Sequence, residues 1–155
     1  MPQPSKTVDA SSDREIQSLY VHQQVDINAS IDVAWQAMLD ELGPQSQMPD
    51  GKSFPMKIEA WPGGRWFRDA GNNAGHLWGH VQVIKPPGLL EICGPLFMSY
   101  AAVNHVQYRL TGEGKKTKLT LTHRSFGQIA PEHREGVNTG WGHKLKRIRE
   151  LAEKM

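Results

Sequence analysis

A histidine, a tyrosine and a set of indoles are the residues of this chain that could do chemistry. Leu119, Leu121 and His123 share one parity of a strand-like run, and Ser125 continues it. A histidine inside an apolar cavity can orient a ligand or act as a general base near neutral pH. The plainer alternative is an imidazole hydrogen-bonded to backbone at the end of its strand. Tyr108 lies on the apolar parity of the preceding run, and its hydroxyl must find a partner once buried. Together the two could move a proton on a cavity-bound ketone. Five tryptophans are present, and Trp61, Trp66, Trp78 and Trp141 fall in segments that would flank such a cavity. Their rings bury large area and stack on planar ligands, or they simply fill the core.

Other candidates are weaker. His76, Trp78 and His80 share a parity, with the two imidazoles about 13 Å apart, too far to ligate one metal. The alternate set Leu77, Gly79, Val81 and Val83 is more apolar. The expectation is therefore that Trp78 faces outward, as a protein contact, unless a bulge inverts the strand. Cys93 is the single cysteine, so no disulfide within the chain and no cysteine cluster can form. Lys144, Lys146, Arg147 and Arg149 make a basic run, but Glu150 and Glu153 interleave with it and cations suit a helix C-terminus, so nucleic acid is not the expected partner.

The elements that must position these groups are legible from periodicity. Leu19, Val21, Val25, Ile27 and Ala29 alternate with polar residues as a half-buried strand. Ser30 can cap a helix carrying Ile31, Ala34, Trp35, Met38, Leu39 and Leu42, which Gly43-Pro44 stops. Residues 45–55, with Pro49, Asp50-Gly51 and Pro55, read as a mobile loop and a cavity entrance. Runs at 56–60, 65–68, 76–84, 89–93, 100–110 and 117–126 read as antiparallel strands. A long helix begins near Pro131, with Val137, Trp141, Leu145 and Ile148 on one face. Gly136, Gly140 and Gly142 within it predict a kink or a close backbone approach.

At 155 residues, 38% apolar and 22% charged, the chain has the composition of an ordinary globule. The expected organisation is a disordered tail over residues 1–15 and one domain over residues 16–155. No apolar run is long enough to span a membrane, and no apolar signal core precedes residue 18, so the expected location is cytoplasmic.

The order strand, helix, antiparallel meander and long final helix resembles the α+β helix-grip fold of the START-like (SRPBCC, birch-pollen-allergen-like) superfamily, a six- or seven-stranded sheet wrapped on a C-terminal helix. Pro62-Gly63-Gly64-Arg65-Trp66, Gly79-His80-Val81 leading to Pro86-Pro87, the run from Thr117 to His123, and Gly140-Trp141 with Leu145 resemble bacterial proteins related to the activator of the heat-shock-protein-90 ATPase. The resemblance covers residues 19–152. It implies a cavity for an apolar or aromatic small molecule, among relatives that include polyketide cyclases, lipid carriers and antibiotic-sequestering proteins. The co-chaperone activity behind the family name does not carry over with the fold.

The expected function is thus binding of a small hydrophobic or aromatic molecule between sheet and helix by Trp61, Trp66, Tyr108, Leu121, His123, Trp141 and Leu145. It calls for no cofactor and no metal, in a monomer or homodimer. The alternatives are a cyclase or dehydratase using His123, and a chaperone or other protein-interaction module.

Overall fold

Among the described residues, these patterns build seven antiparallel strands and two helices. The computed structural model of the chain describes residues 15–155, so the tail expected over 1–15 lies outside the described residues apart from Glu15. The elements run β1 (Gln17–Ile27), α1 (Ile31–Leu42), β2 (Lys57–Ile58), β3 (Arg65–Gly71), β4 (Ala74–Lys85), β5 (Leu89–Gly94), β6 (Ala102–Glu113), β7 (Lys116–Gly127) and α2 (Pro131–Glu153). The sheet order is β1-β7-β6-β5-β4-β3-β2. Every pairing is antiparallel.

The period-two pattern puts Val21 and Ile27, Val106, Tyr108 and Leu110, and Leu119 and Leu121 on the inner face. Against it, α2 lays a stripe of Val137, Trp141, Leu145, Ile148 and Ala152, all buried. Helix α1 closes one end of the grip. Its N-cap Ser30 accepts from the Val33 amide, and its last-turn carbonyl at Leu42 accepts from Trp66 Nε1–H at 2.7 Å. That bond satisfies a helix-end acceptor and fastens α1 to β3. The first turn of α2 lacks a side-chain cap at Ala130. The hydroxyl of Tyr100 instead accepts from the Ala130 amide at 3.2 Å.

Strand β4 departs from simple alternation, which corrects the expected facing of Trp78. Trp66 pairs with Gly79 and Phe67 with Leu77, so Trp78 is an extra residue on β4. This bulge turns Trp78 inward, onto Trp66 with ring centroids 5.1 Å apart, and leaves Leu77 42% exposed. Two glycines make room for it. A Cβ on Gly79 would lie 2.7 Å from the Cys93 carbonyl oxygen, and one on Gly94 would lie 2.4 Å from Gly79 Cα and 2.5 Å from the Trp78 carbonyl oxygen.

Gly94→Ala therefore breaks the pinch between β4 and β5. Its expected effect is a loss of roughly 2 kcal/mol or more of unfolding free energy. Urea denaturation measures this, and a change below about 0.5 kcal/mol would show that the strands move apart freely.

Candidate functional site

The grip is not hollow along its length. Tyr108 and Trp141 meet edge to face at 6.3 Å, and with Leu121 and Leu145 they fill its middle. The open volume lies toward the N-terminal half of α2, a half-open cleft of about 430 Å³. One wall is aromatic, formed by Trp66, Trp78, Phe97 and Phe54, and the other is the face of α2 from Glu132 to Lys144. The segment Ser46 to Pro49 borders it, where an entrance loop was expected.

The helix wall is bare at two positions. Gly136 and Gly140 both line the cleft, and a Cβ on either would meet nothing within 4 Å. Helix α2 nevertheless runs unbroken from Pro131 to Glu153. The expected close approach at these two glycines is therefore replaced by its opposite: they leave the backbone uncovered between the side chains of His133, Val137 and Trp141. The floor is held tightly. Leu96 adopts φ +54°, costing about 1 kcal/mol or more for a non-glycine residue, while its amide donates to the Trp78 carbonyl at 2.7 Å.

His123 sits behind the cleft rather than in its wall. It is fully buried. Trp141 Nε1–H donates to His123 Nδ1 at 2.9 Å. An indole nitrogen can only donate, so the neutral imidazole carries its proton on Nε2, which donates to Asn104 Oδ1 at 2.7 Å. Asn104 Nδ2–H then donates to the carbonyls of Gly94 and Pro95, at 3.1 Å each. A second polar group near His123 would favour a catalytic role; Asn104 is such a group, but it is committed to backbone. Burial lowers the imidazole pKa to about 4. With both nitrogens occupied, His123 holds structure, through side chains rather than the expected backbone.

The remaining residues expected in the site divide. Trp66 and Trp141 line the cleft. Tyr108, Leu121 and Leu145 are buried core beneath it. Trp61 is 57% exposed in the β2–β3 turn and is absent from the cleft walls, because the turn carries it beyond the last paired residues of the hairpin. Arg65 is held on the surface by two bonds to Glu59 at 2.8 Å.

Two cleft features were not anticipated from sequence. His133 lines the cleft, and its Nδ1 shares a hydrogen bond with the Tyr100 hydroxyl at 2.6 Å. At the other end Lys144 also lines it, with Nζ 3.1 Å from Oε2 of the buried Glu41. Among the described residues, no three His, Cys, Asp or Glu side chains gather as metal ligands, and no helix is long and apolar enough to cross a membrane.

The family model for Activator of Hsp90 ATPase homolog 1-like proteins matches residues 28–153. The chain belongs to that family. No curated protein matches it in sequence. Solved structures share the fold at low identity. The Mll3558 protein from Rhizobium loti is 17% identical with a TM-score of 0.68, over 88% of this chain and 99% of that one. The Zhui aromatase/cyclase from a Streptomyces species is 16% identical with a TM-score of 0.63, over 89% and 95%. DynU16, from the dynemicin biosynthetic locus, is 19% identical with a TM-score of 0.62 over 86% of this chain, which spans only 47% of DynU16. The fold of this family member is thus the helix-grip α+β architecture, shared with the Zhui aromatase/cyclase.

The histidine network yields a pH dependence. The folded pKa of His123, about 4, lies below the unfolded value near 6.5, so the unfolded state binds more protons and stability falls as pH drops through this window. From pH 7 to pH 5 the expected loss is about 2 kcal/mol. Urea unfolding of wild type and His123→Gln at the two pH values checks it, since the variant should lose most of that slope.

Proposed function

We propose that the cleft binds a small apolar or aromatic molecule. The observation that carries this reading is the opposition of the Trp66 and Trp78 indoles to the stretch of α2 where Gly136 and Gly140 leave the backbone uncovered. The gap suits a planar ring system, and about 430 Å³ falls within the range of small-molecule sites. Glycine within a helix costs about 1 kcal/mol relative to alanine, so two that face open space need a reason other than packing.

A proton-transfer reading moves from His123 to His133, which lines the cleft and has its ring fixed by Tyr100; a base there requires the tautomer in which Nδ1–H donates to the Tyr100 hydroxyl and leaves Nε2 unprotonated. The expectation that an exposed Trp78 would mark a protein contact loses its basis, because Trp78 packs against Trp66, Phe54 and Phe97.

The test is a titration with N-phenyl-1-naphthylamine, a neutral aromatic probe whose emission rises in apolar sites. Wild type should bind it with a dissociation constant on the order of 10 μM or tighter. Gly140→Leu should weaken binding at least tenfold, or about 1.4 kcal/mol, while thermal stability is kept or raised. Trp61→Phe should change nothing. Equal affinity in wild type and Gly140→Leu would sink the reading.

A further inference from the structure

The two ends of the helix wall differ in charge. Glu132 and Lys144 both line the cleft, and twelve residues of helix separate them by about 18 Å. Lys144 and Arg147 both act on the buried Glu41 carboxylate. Arg147 turns one nitrogen to Gln45 Oε1 at 3.0 Å, and among the described residues its Nε has no partner. Glu41 accepts from Lys144 through Oε2, and its Oε1 is buried without a partner among the described residues. Burial also pushes the Glu41 carboxyl above its usual range, against the pull of Lys144 and Arg147.

An ammonium has three donors, and here Glu41 takes one. His143, the neighbour of Lys144 in the wall, has a buried Nε2 with no partner among the described residues. A buried ion pair is a weak source of stability compared with apolar residues of the same volume. Stability alone therefore explains poorly why Lys144 and Glu41 stand at the end of an aromatic cleft.

We infer that the Lys144 end of the cleft receives an anionic group, so that the ligand is an apolar or aromatic molecule bearing a carboxylate or similar acidic head. This rests on the cleft-binding reading above and adds the polarity and direction of the ligand. The ring system lies between the indoles and the bare helix, and the acid points to Lys144 and His143, away from Glu132.

Two probes that share a skeleton separate the inference from the reading beneath it. 8-Anilinonaphthalene-1-sulfonate is N-phenyl-1-naphthylamine with an added sulfonate. Wild type should bind the sulfonate more tightly, and Lys144→Met should weaken the sulfonate at least tenfold while changing the neutral probe less than twofold. Lys144→Met leaves Glu41 without its partner, so Lys144→Met with Glu41→Gln removes both charges together and should give the same selective loss. Glu41→Gln alone should keep or strengthen sulfonate binding. If the neutral probe binds but the sulfonate gains nothing, or both weaken equally in the lysine variants, the acidic head is refuted and the cleft stands. If neither probe binds wild type, both fall.

Discussion

A single chain of buried hydrogen bonds sets the geometry of everything around the cleft. It runs from the Trp141 indole through His123 and Asn104 to the carbonyls of Gly94 and Pro95. It crosses from α2 to β7, to β6 and to the turn after β5, where the Asn104 amide nitrogen ends on two carbonyls. Such a network in a low-dielectric core is costly to leave half made, so it fixes one arrangement of the elements it joins. Trp141 fixes the rotation of α2. Helical periodicity then decides that Gly136, Gly140 and Lys144 turn toward the cleft while Leu145 and Ile148 turn to the sheet. Asn104 fixes the turn that presents Leu96 and Phe97 as the floor. Both walls are thereby tied to one imidazole that lines neither.

The aromatic wall depends on a second constraint, the close approach of β4 and β5. Gly79 and Gly94 allow the two backbones to touch where a side chain on either would collide. The bulge next to that contact carries Trp78 from the outer to the inner face. Trp66 reaches the same place without irregularity, since it simply continues the inner parity of β3 and anchors itself on Leu42. Two indoles that meet edge to face thus arrive by unrelated routes.

That difference explains what could be read in the sequence. Strand and helix periods are properties of composition along the chain, so the seven strands, both helices, and the placing of Trp66 and Trp141 were legible. A bulge is set by backbone contacts between strands remote in sequence. No alternation count contains it, and Trp78 was assigned to the wrong face. His123 was read as inward from parity, but its partners Asn104 and Trp141 lie 19 and 18 residues away, and no local pattern names them. Glu41 did leave a signal. It stands three residues after Met38 and seven after Ala34, on the stripe α1 buries, and a carboxylate on a buried stripe points to a cationic partner elsewhere.

Two sets of glycines in this chain contrast, and the distinction bears on the shape of the cleft. At Gly64, Gly79 and Gly94 a Cβ would lie within 2.7 Å of another atom, so packing alone demands glycine there. At Gly136 and Gly140 nothing would be touched, and helix propensity favours nearly any other residue. The helix survives both because it is fastened on either side, at Ala130 by the Tyr100 hydroxyl and at Trp141 by His123. A fold stabilised at those two points can leave the stretch between them bare. The uncovered backbone at these two positions is thus a feature the architecture tolerates without needing for its packing.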